Sequence, residues 1–342
     1  MNGRWLFSAR LDLAVFLGSA LVALALVPLG PALGAGGDTP AWTWVTGVLL
    51  VDVAHVWSTA FVVYLDPAER ARRAAYWAVP LLAYLAGAVV YAAAGAAVFW
   101  RALAYLAVFH FVRQQWGWVA LYRARARERD GRALDAAAIY AATLYPLLYW
   151  HAHLPRDFAW FLPGDFAALP QFLASAALPV YLAILGLYAA RALPGWLRAR
   201  PANPGKDIVV ATTAACWYAG IVATNSDYAF TVTNVFVHGV PYLALVYVYT
   251  RAQGGGIGAR IAAAGPLAFL ATIWLLAYAE ELLWDKTVWH ERGWLFGGGV
   301  DLASWHSLLV PLLAVPQLSH YLLDGFIWRR RGNPKVAAAL RL

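Results

Sequence analysis

The sequence predicts an all-α fold, a polytopic bundle of about ten transmembrane helices, and three observations predict it. Of the 342 residues, 62% are hydrophobic and only 13% are charged, whereas roughly a quarter are charged in a soluble domain. Ten apolar stretches are each long enough to cross a bilayer, and basic residues collect in alternate connecting segments. The composition excludes a soluble globular protein, because the polar side chains are too few to cover a water-soluble core.

A spanning helix needs about 20 predominantly apolar residues, and stretches of that length take up most of the chain. The third and fourth are joined so closely around Trp100 that they predict a helical hairpin. The first is interpreted as an uncleaved helix, since its apolar run is longer than a signal-peptide core. Residues 1–342 are predicted to form a single transmembrane domain. The predicted spans are residues 11–31, 43–65, 76–97, 100–122, 133–151, 171–193, 207–224, 229–250, 263–283 and 302–328.

The positions of the basic residues predict the topology. With ten spans and a cytoplasmic N-terminus, 21 of the 26 Lys and Arg residues fall in cytoplasmic segments, as the positive-inside rule requires. Both termini are therefore expected in the cytoplasm, in a multi-pass protein of a bacterial-type inner (plasma) membrane. The net charge of +8 is a topology signal and indicates no nucleic-acid partner. The expected partners are membrane lipids and a lipid-soluble small molecule, and the oligomeric state stays open.

Polar residues inside the predicted spans indicate where function lies, because ionisable groups in a membrane helix are costly and usually mark a site. Cys216 is the only cysteine, so a metal site would use His and carboxylate ligands. Four spans carry polar stripes whose members recur every three or four residues, on one helix face. The stripes are Asp52, His55 and Thr59; His110, Arg113 and Gln114, followed by Gln115; Asn234, His238 and Tyr242; and Gln317, His320 and Asp324.

The four histidines of these stripes are predicted to lie at nearly one depth. Counted from the predicted cytoplasmic ends of their spans, they lie 10, 12, 12 and 8 residues inside. At 1.5 Å per residue this spread is about 6 Å, which is small against a hydrocarbon core about 30 Å thick. All four helices are predicted to run from outside to inside. We therefore expect His55, His110, His238 and His320 to meet near mid-membrane.

Such a cluster predicts a metal site, since neutral imidazole is the commonest metal ligand and suits iron, copper or zinc. The donor set alone leaves iron, copper and zinc open. Tyr242 and Asp324 are the candidate catalytic groups, and Asp324 is also a candidate ligand. Arg113 is expected to pair with Asp324 or Asp52, which would offset its desolvation. Polar neighbours are predicted to support the ligands, and these are Asp52, Thr59, Arg113, Gln114, Gln115, Asn234 and Gln317.

The order of these motifs resembles the Brp/Blh family of bacterial membrane β-carotene 15,15′-dioxygenases. The resemblance covers four motifs, about 40 residues in all, and none of the intervening helices. The matching motifs are His55 with Thr59; His110-Phe111 with Gln115; Phe236-Val237-His238 with Tyr242; and His320 with Asp324, leading to Phe326-Ile327-Trp328-Arg329.

The resemblance implies a non-haem Fe(II) centre held by His55, His110, His238 and His320, which activates O₂ against an apolar polyene. Two positions differ from the family pattern. The first motif of the family usually has Pro-His-Gly with an Asp one turn later, where this chain has Ala54-His55-Val56 and Thr59. The third motif usually carries a second His, where this chain has Tyr242.

Three classes of function remain open from the sequence. The leading one is a membrane-bound, O₂-dependent metal oxygenase or related oxidoreductase acting on an apolar, lipid-soluble substrate. The second is a redox carrier with b-type haem or quinone, in which pairs of the histidines are axial ligands. The third is a proton- or ion-coupled transporter, in which the intramembrane polar groups form a path. The sequence assigns no role to His151, His153, His290 and His306.

Overall fold

The all-α prediction is confirmed for residues 4–35, 38–72, 75–328 and 334–340, which the computed structural model describes and which contain no strand. Eleven helices within these ranges carry the framework, separated by shorter helices and loops. They are α1 Ala9–Leu29, α2 Ala41–Val63, α3 Tyr76–Ala94, α4 Ala96–Arg125, α5 Arg132–Ala152, α6 Gln171–Leu197, α7 Pro204–Ala223, α8 Asp227–Arg251, α9 Pro266–Trp289, α10 His306–Leu313 and α11 Val315–Ile327.

Eight helices of the described ranges are long and apolar enough to cross a membrane, namely α1 to α4 and α6 to α9. The fifth predicted span does form a helix, α5, but its first turn carries Arg132 and Asp135 and it is not among the eight. The tenth predicted span is divided at Ala314 into α10 and α11. Pro316 explains the division, because a proline has no N–H to donate to the carbonyl of Leu312.

The predicted turn between the third and fourth spans lies a few residues earlier than expected. Gly95 alone separates α3 from α4. Helix α3 ends there because Gly95 has a φ of +87°, a conformation that glycine adopts without strain. The chain then folds back, since the rings of Tyr91 and Phe99 lie 5.5 Å apart. Trp100, where the turn was predicted, lies inside α4.

Four helices contain π-helical stretches, in which each turn takes up an additional residue. The longest, Trp44–Val53, occupies the first half of α2 and passes directly into the α-helical turn that carries His55. The others are Leu13–Gly18, Tyr218–Ala223 and Asp285–Trp289. Such stretches occur frequently at functional sites.

The contacts divide the chain into two compact units. The first comprises the described residues of Met1–Gly47, Ala107–Pro241 and Leu340–Leu342, and the second comprises those of Val48–Leu106 and Tyr242–Ala339. The helices α2, α4 and α8 each contribute residues to both units.

A buried ionic cluster joins four helices within the first unit. The carboxylate of Asp135 on α5 is fully buried and pairs with Arg123 on α4 and with Arg191 on α6. Lys206 on α7 lies 3.1 Å from the same carboxylate, and its Nζ also lies 2.6 Å from Oε2 of Glu128. The three cations offset the desolvation of Asp135, which would be costly if this carboxylate were unpaired.

The second unit is held together by aromatic and polar contacts between α2 and α9. The rings of Phe61 and Phe269 lie 4.8 Å apart in an edge-to-face arrangement. The indole N–H of Trp57 donates to Oε2 of Glu280 over 2.5 Å, and that of Trp284 donates to Oε1 over 3.3 Å. Both oxygens of this buried carboxyl group are therefore satisfied by aromatic donors.

The close approach of α7 to α4 in the first unit is testable by substitution of Gly205. A Cβ at this position would overlap the ring of Tyr122, which is 1% exposed and has no room to move. We expect Gly205→Ala to lower the free energy of unfolding by about 1–3 kcal/mol. The measurement is thermal unfolding of the purified protein in detergent. Gly117→Ala is the matched control, because no described atom lies within 4 Å of its added Cβ, and equal melting temperatures for both variants would contradict this packing.

Candidate metal centre

Each of the four predicted ligands stands on a different helix, and all four are buried. His55 lies on α2, His110 on α4, His238 on α8 and His320 on α11. Their exposed fractions are between 0% and 4%. A polar ring so far from water requires partners for its nitrogens, so the surroundings of each ring indicate what it does.

In the second unit, His55 and His320 face each other. Their ring centroids lie 4.8 Å apart, with the planes nearly perpendicular. Tyr242 packs edge-on against both rings, at 5.7 Å from His55 and 5.2 Å from His320. Nδ1 of His55 lies 3.5 Å from Oδ1 of Asp52, one turn earlier on α2. Two imidazoles, a phenol and a carboxyl group therefore come together within this unit.

In the first unit, His110 and His238 form the corresponding pair, with ring centroids 5.2 Å apart. Phe111 stacks flat on His238, at a centroid distance of 3.5 Å and an interplanar angle of 6°. Nε2 of Gln114 donates to the backbone carbonyl of His238 over 2.9 Å. The stack fixes the plane of the His238 ring, and the hydrogen bond ties α4 to α8 at the level of the ligand.

Each of these four histidines offers one ring nitrogen, and the four nitrogens all lie within 4.8 Å of one another. The four residues that sequence spacing predicted at one depth therefore have the composition and the spacing to hold a metal ion.

A hydrogen-bonded chain leads from His320 to a carboxylate. Nδ1 of His320 lies 2.7 Å from Oγ1 of Thr59, which lies 3.4 Å from the hydroxyl of Tyr242. Tyr242 donates to Oδ1 of Asp324 over 2.8 Å, and the indole of Trp328 donates to the same oxygen over 2.5 Å. Asp324, a candidate ligand from the sequence, is thus engaged by Tyr242 and Trp328 and is not a member of the four-nitrogen group.

The other predicted polar neighbours have different surroundings. Gln115 accepts a hydrogen bond from Thr213 on α7 over 3.1 Å. Asn234 donates to the carbonyl of Phe230 on its own helix over 3.0 Å. Gln317 is half-buried and makes no side-chain hydrogen bond within the described part of the chain. Of the predicted supporting residues, Thr59 contacts the ring of His320, Gln114 bonds the backbone of His238, and Asp52 lies 3.5 Å from Nδ1 of His55.

The expected pairing of Arg113 with Asp324 or Asp52 is wrong. Arg113 is exposed, and Nη1 donates to the hydroxyl of Tyr140 on α5 over 2.5 Å. The reason is helical rotation. Consecutive residues differ by about 100° around a helix, so Arg113 points well away from its neighbour Gln114, which faces His238.

Sequence reasoning missed two contributors that aromatic spacing could have indicated. Trp328 follows Asp324 by four residues, and Trp284 follows Glu280 by the same interval, so each indole reaches back to a carboxyl group one turn earlier. Phe111 was noted only as part of a motif. Its flat stack on His238 depends on the packing of α4 against α8, which no sequence pattern specifies.

Three of the histidines without an assigned role have ordinary structural partners. Nδ1 of His151 lies 2.7 Å from the carbonyl of Leu147, and Nδ1 of His153 lies 2.8 Å from that of Tyr149. Nε2 of His306 lies 3.1 Å from the carbonyl of Thr287. None of them belongs to the four-nitrogen group.

Comparison of the chain with protein families, with curated proteins and with solved structures finds no match. The functional interpretation therefore depends on the residues themselves.

Proposed function

We propose that this chain is a multi-pass membrane oxygenase in which His55, His110, His238 and His320 hold a non-haem iron ion. The substrate would be apolar and lipid-soluble, and the reaction would be carotenoid cleavage. The observation that carries the proposal is the spacing of four buried ring nitrogens, all within 4.8 Å of one another. Polar rings buried together in membrane-like helices are costly and usually mark a functional site.

The donor set favours a transition metal over a hard cation such as Ca²⁺ or Mg²⁺, because all four donors are imidazoles. Iron fits the proposal better than zinc, which has no redox chemistry.

In the proposed mechanism His55, His110, His238 and His320 would hold a ferrous ion, which when bound would supply the activation of O₂. The four histidines are buried, which would keep bulk water away from such an ion. The flat stack of Phe111 holds the plane of the His238 ring. The contact between Oγ1 of Thr59 and Nδ1 of His320 holds the orientation of the His320 ring. Loss of such supporting contacts typically lowers metal affinity or activity about 10- to 100-fold.

Aromatic side chains beside His238 support an apolar substrate. Phe111 packs edge-on against Trp160 at 4.9 Å, and Trp160 packs against Phe230 at 5.6 Å. These rings extend the apolar surroundings of the ligand pair toward the loop that follows α5. An aromatic environment of this kind would suit a conjugated hydrocarbon, because aromatic faces and edges pack favourably against π-systems.

Replacing any one of the four histidines by alanine is expected to remove most of the bound metal, because three imidazoles hold an ion less tightly than four. The measurement is elemental analysis of protein purified from iron-supplemented cells, with metal reported per chain. His306→Ala is the matched control, since its ring binds a backbone carbonyl outside the cluster. If His55→Ala and His320→Ala both keep the full metal content, the proposed site is wrong.

The substrate proposal is tested by expression in a β-carotene-producing bacterium. The intact chain should bleach the cells and form a shorter polyene aldehyde, detected by liquid chromatography. His238→Ala should leave the colour unchanged. Retention of colour by cells that make iron-loaded wild-type protein would exclude carotenoid cleavage while leaving the metal site intact.

The proposed topology has ten crossings, with both termini in the cytoplasm of a bacterial-type inner membrane. It treats α5 as a crossing in addition to the eight apolar helices, and it treats α10 and α11 together as the last. The distribution of basic residues supports it, because 21 of the 26 lie in the segments assigned to the cytoplasm.

Labelling of introduced cysteines with a membrane-impermeant maleimide tests this topology. The background is Cys216→Ala, which removes the only native thiol, a fully buried one. Ala168→Cys, before α6, should react in intact spheroplasts. Arg129→Cys, between α4 and α5, should react only after the membrane is opened. Labelling of both positions in intact spheroplasts would contradict the assigned orientation.

A further inference from the structure

We infer that Thr59 is a positioning residue that fixes the tautomer of His320, so that Nε2 is the atom that binds metal. The inference rests on the proposed metal site and assigns to it a supporting residue on another helix. Thr59 lies on α2, one turn after His55, yet its hydroxyl contacts the ring of His320 on α11. The contact is buried, with Thr59 4% exposed and His320 1% exposed.

The geometry first identifies the donor atom. Nδ1 of His320 lies 2.7 Å from Oγ1 of Thr59, which is an ordinary hydrogen-bond distance. A neutral imidazole carries one proton and one lone pair on its two nitrogens. If Nδ1 is occupied by Thr59, only Nε2 remains to bind an ion. Nε2 has a lone pair for that purpose only when the proton resides on Nδ1.

The rest of the hydrogen-bonded chain determines which nitrogen carries the proton. A carboxylate accepts hydrogen bonds and cannot donate, so the hydroxyl of Tyr242 must donate to Asp324. Tyr242 has a single proton and therefore accepts from Thr59, over 3.4 Å. The Thr59 hydroxyl donates its only proton to Tyr242. It must therefore accept a hydrogen bond from Nδ1 of His320. Every contact in the chain then carries one proton, and that order places a proton on Nδ1 of His320.

The reverse order fails at one contact. If Thr59 donated to Nδ1 of His320, neither Thr59 nor Tyr242 would have a proton left for the contact between their two oxygens. Two buried oxygens would then face each other with no hydrogen between them, which is unfavourable. The indole of Trp328 strengthens the preferred order, because it donates to the same oxygen of Asp324 and stabilises its acceptor role.

The test measures Co²⁺ binding to the purified full-length protein in detergent, by competition with a chromophoric chelator. Thr59→Val keeps the shape of the side chain and removes the hydroxyl, so His320 loses its tautomer control. We expect Co²⁺ affinity to fall about 10- to 100-fold, the range found for residues that orient a ligand. Thr59→Ser keeps the hydroxyl and should bind nearly as tightly as wild type. The visible spectrum of bound Co²⁺ should change in Thr59→Val and not in Thr59→Ser.

Thr143→Val is the matched control, since Thr143 is also fully buried but bonds only carbonyls of its own helix. It should bind Co²⁺ like the wild type. Tyr242→Phe gives a second test if Thr59→Val fails to fold. It frees Thr59 to donate in either direction and should weaken binding by a smaller factor.

The outcomes separate this inference from the proposed function. Wild-type affinity and spectrum in Thr59→Val, together with loss of binding in His320→Ala, would overturn the role of Thr59 and leave the metal site standing. Wild-type binding in His320→Ala would overturn both. Weak binding in Thr59→Val and Thr59→Ser alike would also overturn the inference, because the hydroxyl would then not be the cause.

Discussion

The constraint on which the rest of this structure depends is the cost of placing polar rings inside apolar helices. Four imidazoles are buried on α2, α4, α8 and α11, where bulk water does not reach their nitrogens to form hydrogen bonds. Each ring has two nitrogens, so a ring that presents one of them to a common centre must satisfy the other elsewhere. For His320, the hydroxyl of Thr59 lies 2.7 Å from Nδ1 and meets that requirement.

The two compact units hold His320 and His238 in place by different contacts. In the second unit, the hydroxyl groups of Thr59 and Tyr242 connect Nδ1 of His320 to the carboxylate of Asp324. The carboxylate thus accepts the last hydrogen bond of the chain that begins at the ring. In the first unit, His238 is held by an aromatic side chain and by a hydrogen bond to its backbone. Phe111 covers the face of His238, and Gln114 binds its carbonyl. His320 is therefore oriented by a hydrogen bond and His238 mainly by aromatic packing.

Periodicity and depth could be predicted from the sequence because they depend on helix geometry alone. Ten apolar stretches predicted helices, and counting residues from their ends predicted four histidines at one level. The division at Ala314 was missed because a long apolar run outweighed the evidence of Pro316. The partner of Arg113 was missed because charge complementarity was considered without the rotation of α4, which turns this side chain toward Tyr140.

Side-chain partners across helices could not be predicted, and Thr59 illustrates the reason. Its sequence neighbour is His55, one turn earlier on the same face, but its hydroxyl bonds His320, 261 residues later in the chain. Only the packing of α2 against α11 decides between the two. The same holds for Gln115, which adjoins the polar stripe of α4 in sequence and binds Thr213 on α7.

X-ray absorption spectroscopy of the purified protein, loaded with one equivalent of iron, tests the central claim most directly. Imidazole rings give a distinctive outer-shell scattering pattern that allows them to be counted. The account predicts a first shell of nitrogen and oxygen atoms, with outer-shell scattering from about four imidazoles. A bound ion with one imidazole or none, or a protein that retains no metal, would contradict it.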